Sequence, residues 1–162
     1  MTAMENEIVK ALNTYYKTNN IKALSYRLYQ SQYSKGQWCD ILSDSLDPKH
    51  FLAIECKSID YTKYKTLNFK SRFSEAEGFH QLEREHFFTE QTGRKGLLII
   101  ECRMGPGKPR EAFVIDMKHV YNLWKSGEKS LKNITSYNKL KREKGKYMFS
   151  SEDFRSWSTV DL

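Results

Sequence analysis

Apolar residues fall at three- and four-residue steps near the start of the chain and change to alternation or short unbroken runs farther on. Met4, Ile8, Leu12 and Tyr15 or Tyr16 share one side of a helix, which the spacing predicts from Met4 to about Thr18. Ile21 to Ser31 reads as an aromatic-rich strand ended by Ser34-Lys35-Gly36. Trp38 to Leu42 and Phe51 to Lys57 form the arms of a predicted β-hairpin, with Ser43 to His50 as its turn because Asp44, Asp47 and Pro48 cluster there. Ser58 to Arg72 reads as a polar loop. A second helix is expected from near Ser74 or Gly78 to about Thr92, where Gly93 stops it, and Ser74-Glu75-Ala76-Glu77 matches a capping box. Gly96 to Arg103 and Ala112 to Asp116 read as strands around a Gly105-Pro106-Gly107 turn, and Val120, Leu123 and Trp124 mark one side of a short helix.

The predicted hairpin carries charge where a core strand should have none. Side chains alternate along a strand, so Ala53, Glu55 and Lys57 share one face and Leu52, Ile54 and Cys56 the other. Asp40 lies on the face opposite Cys39 and Ile41, and hairpin pairing brings it alongside Glu55. Two carboxylates and a lysine at strand ends are the parts that hold a hard divalent cation and activate water. Charged residues on a solvated hairpin face would give the same pattern. The unbroken run Phe51 to Ile54, however, is the mark of a strand covered on both faces, and a buried Glu55 needs a metal or a lysine beside it. In the first helix, Glu5 lies on the apolar side with Ile8, Val9, Leu12 and Tyr16. It is either stationed at the helix start, where the dipole favours an acid, or reaching into a site; Glu7 lies at the other edge of the stripe.

With 162 residues, the chain is expected to form one domain over 1–162, with a basic C-terminal extension from about residue 126. Lys and Arg number 27 against 20 Asp and Glu, a formal charge of +7, which favours a polyanionic partner, nucleic acid before membrane. Lys63, Lys65, Lys70 and Arg72 are interleaved with Tyr61 and Tyr64, a pattern suited to phosphates and unstacked bases, although a solvated loop with tyrosines folded onto the core would look alike. Arg27 joins them as a candidate DNA contact. No signal-peptide-like stretch opens the chain, and its longest apolar run, Leu97 to Ile100, is too short to span a bilayer, so a cytoplasmic protein is expected. Cys39, Cys56 and Cys102 occur singly and read as small core residues.

The order helix, three strands, helix, strand, together with Asp40 and Glu55-Cys56-Lys57, resembles the PD-(D/E)xK nuclease fold. Within it, the chain resembles the Holliday-junction resolvases of the RecU and archaeal Hjc type. Met4-Glu5-Asn6-Glu7-Ile8, Asn68-Phe69, His80-Gln81, Ala112-Phe113-Val114-Ile115-Asp116 and Leu123-Trp124-Lys125 carry that likeness. The resemblance implies an α/β, restriction-endonuclease-like core, a central mixed β-sheet flanked by helices. It implies a Mg²⁺-dependent endonuclease that resolves four-way DNA junctions by paired phosphodiester hydrolysis, with Mn²⁺ as a substitute and a homodimer as the working unit. Asp40, Glu55 and the Cys56 carbonyl would bind the metal, Glu5 would reach it through water, Lys57 would orient or deprotonate the attacking water, and Gln81 would stand beside the site. Cys39 stands where the motif has proline. The long RecU stalk before the catalytic aspartate is missing, and the length here is closer to Hjc. Cutting of ordinary duplex by a restriction- or repair-type nuclease, and DNA binding without cutting, are the alternatives.

Overall fold

The computed structural model describes residues 3–29 and 36–158. Helix α1 (Ala3–Thr18) leads into strands β1 (Ala23–Arg27), β2 (Ile41–Ser45) and β3 (Leu52–Asp60). Helix α2 (Gln81–Thr92), strand β4 (Lys95–Arg103), strand β5 (Glu111–Asp116) and helix α3 (Met117–Lys125) follow, then strand β6 (Asn138–Lys139) and helix α4 (Ser151–Ser158). The six strands form one sheet in the order β1-β2-β3-β4-β5-β6. Only β3 and β4 run parallel, paired from Leu52↔Lys95 to Asp60↔Arg103, and the other neighbours are antiparallel. The connection between these two parallel strands contains α2, as a parallel crossover requires. The fold is thus α/β, a central mixed sheet flanked by helices.

Two-residue periodicity divides the core. Leu52, Ile54, Cys56, Leu97 and Ile99 face α1 and pack with Ile8, Leu12 and Tyr16. Leu98, Ile100, Phe113 and Ile115 turn the other way and pack with Phe69, Phe73, Leu82 and Val120. Cys39, Cys56 and Cys102 are buried free thiols. The stretch beyond residue 126 is woven into these layers: Asn138–Lys139 adds the sixth strand, and Tyr147, Phe149, Phe154 and Trp157 join the α1-side core.

Several boundaries differ from the sequence reading, each for a tertiary reason. The hairpin turn is shorter than Ser43 to His50, because β1 gives β2 a partner as far as Ala23↔Ser45 and Tyr16 bonds the buried Ser43 hydroxyl. The first strand stops at Arg27, and residues 30, 31, 34 and 35 of that expectation lie outside the described residues. Ser58 to Arg72 is not all loop: parallel pairing to β4 extends β3 to Asp60, Leu67–Asn68 pairs with Ser130–Leu131, and the Asn68 side chain caps a one-turn helix, Phe69–Arg72. Nor is Ser74 to Glu77 a capping box. Glu75–Ala76 pairs with Phe79–His80 across Glu77 and Gly78, both at positive φ (53° and 83°), the geometry of a two-residue hairpin turn. The α2 N-cap is His80, whose side chain accepts from the Leu82 N–H, and Gly93 ends the helix at φ 76°.

Candidate active site

Pairing between β2 and β3 ends at Ile41↔Ile54, and the chain before β2 bends so that Asp40 meets the strand edge left open. The Asp40 N–H donates to the Ile54 carbonyl (3.0 Å), and its own carbonyl accepts from the Leu28 N–H (2.8 Å). These two bonds fix its backbone. The carboxylate accepts from the Cys56 N–H at Oδ2 (2.8 Å) and from Gln37 Nε2 at Oδ1 (3.0 Å). A strand residue's N–H and C=O point to the same side, so the Cys56 carbonyl opens on the same edge as Asp40. Its thiol is buried, which with the neighbouring acids pushes its pKa well up.

Glu55 stands next along β3 and is only 4% exposed. Its Oε1 accepts from Gln81 Nε2 (2.7 Å) and lies 3.3 Å from Lys57 Nζ. Burial first, and then the Asp40 charge, raise its pKa to about 7, against the opposing pull of Glu85, Lys57 and Gln81. Lys57 is held between this carboxylate and the Phe73 ring, whose centroid is 4.7 Å from Nζ. Asp40, Glu55, Cys56, Lys57 and Gln81 are therefore brought to one place. Glu5 comes from the other face of the sheet: it is buried on α1, its Oε2 has no hydrogen-bond partner, and its charge bears on Cys56.

A further carboxylate escaped sequence reasoning. Glu85 is 3% exposed, one helical turn after Gln81, and its Oε1 accepts from the same Gln81 Nε2 (3.1 Å). No hydrogen-bond donor reaches its Oε2. Burial and then the charge of Glu55 hold its pKa well above the usual carboxylate range. The i, i+4 spacing from Gln81 was the available signal, because it places both side chains on one helix face. Phe73 gave no such signal: it reaches the lysine through a connection that looks only like loop.

A hard divalent ion fits this donor set in its chemistry. Asp40, Glu55 and Glu85 present three acids to one ammonium, and the cluster includes a buried carboxylate oxygen with no donor. Among the described residues, no group of three or more His, Cys, Asp or Glu side chains is already gathered in a metal-holding arrangement. Two surface clefts lie elsewhere, one bounded by Pro48, Arg94, His119 and Trp157, the other by Lys10, Tyr15, Lys146 and Phe149. The acids sit on a strand edge, outside both.

The basic candidates spread along the surface beside β3. Arg72 donates to the Ser58 carbonyl, next to Lys57. Lys65 folds its ammonium over the Tyr61 ring, Lys63 pairs loosely with Asp60 (4.0 Å), and Lys70 is exposed on the one-turn helix. Arg27 lies near α1, 3.4 Å from Asn6 Oδ1.

What fold and site define together is a mixed α/β sheet protein with a lysine and buried acids at an unpaired strand edge. The structure is similar to that of Hjc, a Holliday junction resolvase from the archaeal hyperthermophile Archaeoglobus fulgidus, with 16% sequence identity, a TM-score of 0.42, and coverage of 94% of this chain and 89% of that one. No protein-family model matches the chain, and no curated protein sequence is similar to it. Among the described residues, no helix is long and apolar enough to cross a membrane.

Proposed function

We propose that this protein is a Mg²⁺-dependent endonuclease that hydrolyses DNA phosphodiesters at four-way junctions and works as a homodimer. The observation that carries the reading is the meeting of Asp40, Glu55 and Lys57 where β2 stops pairing with β3, with Glu55 buried and its pKa raised to about 7. Strongly perturbed acids beside a lysine are a mark of sites that do chemistry. Asp40, Glu55 and the Cys56 carbonyl would hold the ion, with Glu5 reaching it through water, and Mn²⁺ has the same ligand preference. When bound, the ion supplies positive charge to the phosphodiester and lowers the pKa of water. Lys57, fixed by Glu55 and Phe73, orients the attacking water or takes its proton. Attack in line on phosphorus breaks the bond to the 3′ oxygen, leaving a 3′-hydroxyl and a 5′-phosphate.

Lys63, Lys65, Lys70, Arg72 and Arg27 contribute sequence-independent attraction to the backbone. One chain has one such site, and resolution of a junction needs two symmetric nicks, which a two-fold dimer supplies. A second reading, a restriction- or repair-type nuclease that cuts ordinary duplex, would use the same Asp40, Glu55 and Lys57. Incubating purified protein with a four-way junction, a duplex and a single strand, with and without Mg²⁺, separates these. Preference for the junction supports the first reading, equal cutting of duplex supports the second, and absence of cutting in all three sinks both.

A further inference from the structure

The carboxamide of Gln81 is fully committed. Its Oε1 accepts from the Ser74 N–H (3.0 Å), and its Nε2 donates to Glu55 Oε1 (2.7 Å) and Glu85 Oε1 (3.1 Å). An amide has two N–H donors, so these two acids use both. The base of the Glu75–His80 hairpin fixes the residue from behind, since the Gln81 N–H also donates to the Ser74 carbonyl (2.8 Å). Without an acceptor at position 85, one N–H is left unpaired in a buried place. The orientation of the amide then rests on the Ser74 N–H and Glu55 alone.

Packing alone does not account for an acid here. Glu85 is buried near the thiol of Cys39, whose pKa its charge helps to raise, and one of its oxygens has no donor. An apolar side chain of similar size would avoid that desolvation cost. The geometry points to Glu85 as a positioning residue: by accepting the second N–H of Gln81, it locks the carboxamide that holds Glu55 in the orientation needed to bind a divalent cation. This rests on the metal-dependent reading of the site given above. Partners of this kind, one step removed from a metal ligand, typically change metal affinity about 10- to 100-fold when lost.

Calorimetric titration of the full chain with Mn²⁺ tests it without any turnover, with a melting curve for each variant to establish that it is folded. Glu85→Leu removes the acceptor and should weaken Mn²⁺ binding about 10- to 100-fold, whereas Glu85→Gln keeps an acceptor oxygen and should bind nearly as wild type does. In a Gln81→Ala background, Glu85→Leu should have no further effect. Glu85→Ala serves in place of the leucine variant if that one does not fold. Wild-type affinity in Glu85→Leu, equal losses in the leucine and glutamine variants, or additive losses with Gln81→Ala would each overturn the positioning role while leaving the metal site standing. A wild-type protein that takes up no Mn²⁺ overturns the metal reading itself, and this inference with it.

Discussion

Two buried glutamates on neighbouring parallel strands have opposite surroundings. Glu101 on β4 is 1% exposed, yet Tyr147 donates to its Oε2 (2.6 Å) and Arg110 lies 3.3 Å from its Oε1. Burial and the Glu101 acceptor push the tyrosine's pKa up, so the hydroxyl keeps its proton and remains a donor. Glu55 on β3 is buried about as deeply, but it shares one ammonium and the Gln81 amide with Glu85, and it faces the charge of Asp40, whose own oxygens take the Cys56 N–H and the Gln37 amide. The first acid is satisfied and ties the strand to the Lys146–Met148 segment. The second leaves negative charge in excess. Burial of a carboxylate therefore does not identify a site; burial of more acids than the available donors can serve does.

Breaking the two clusters should have different consequences. The largest effect is expected from Asp40→Asn or Glu55→Gln, which should reduce Mg²⁺-dependent cleavage to background while DNA binding persists, measured by gel assays of cutting and of binding. Lys57→Ala should lose about 10²- to 10⁴-fold in rate, the range carried by acid–base groups, with the fold intact by circular dichroism. Salt acts on the basic surface and leaves both buried clusters alone. If six to ten phosphates are neutralised, DNA affinity should fall about 10³- to 10⁵-fold between roughly 50 and 200 mM salt, and a flat response would remove nucleic acid as the main partner.

At the satisfied cluster the effect is on stability. Glu101→Leu leaves the Tyr147 hydroxyl without its acceptor and should cost about 1–3 kcal/mol by denaturant unfolding, with cleavage by the remaining folded protein unchanged. A loss of cleavage with no loss of stability would reverse the assignment of the two acids. The smallest effect is a pH dependence in EDTA. Glu55 has a folded pKa of about 7 against an ordinary value of 4.5. Between these values the native state holds a proton that the unfolded chain has released, so stability falls as pH rises through that window. Glu55→Gln should flatten the slope of melting temperature between about pH 4.5 and 7, and an unchanged slope would place the titration on another group.

Glu55 and Lys57 were legible because strand alternation is a local rule that survives folding; Asp40 was legible because it directly precedes β2 and its N–H still bonds the Ile54 carbonyl, although a bend takes it out of the strand. Gln81 entered through family resemblance alone, and its bond to Glu55 depends on α2 lying across the sheet, which no periodicity near residue 81 reveals. The same helix hid Glu85: its apolar pattern is smeared because Gln81 and Glu85 occupy sheet-facing positions that hydrophobic residues would normally fill. The Ser74 to Glu77 segment misled for a different reason. A capping-box pattern fixes residue types but not dihedrals, and Gly78 together with Glu77 at positive φ allowed a hairpin instead.

The proposed role of the acids around Glu55, as the metal-dependent cutting centre of a junction nuclease, can be tested at the nicks themselves. Its most direct test is to map nicks on an end-labelled four-way junction treated with wild-type protein and with Glu55→Gln, in Mg²⁺ and in EDTA. The account predicts paired nicks at symmetric positions on opposing strands, present only for the wild-type protein in Mg²⁺. Cutting that survives EDTA, or nicks from Glu55→Gln as strong as those from wild type, would contradict it.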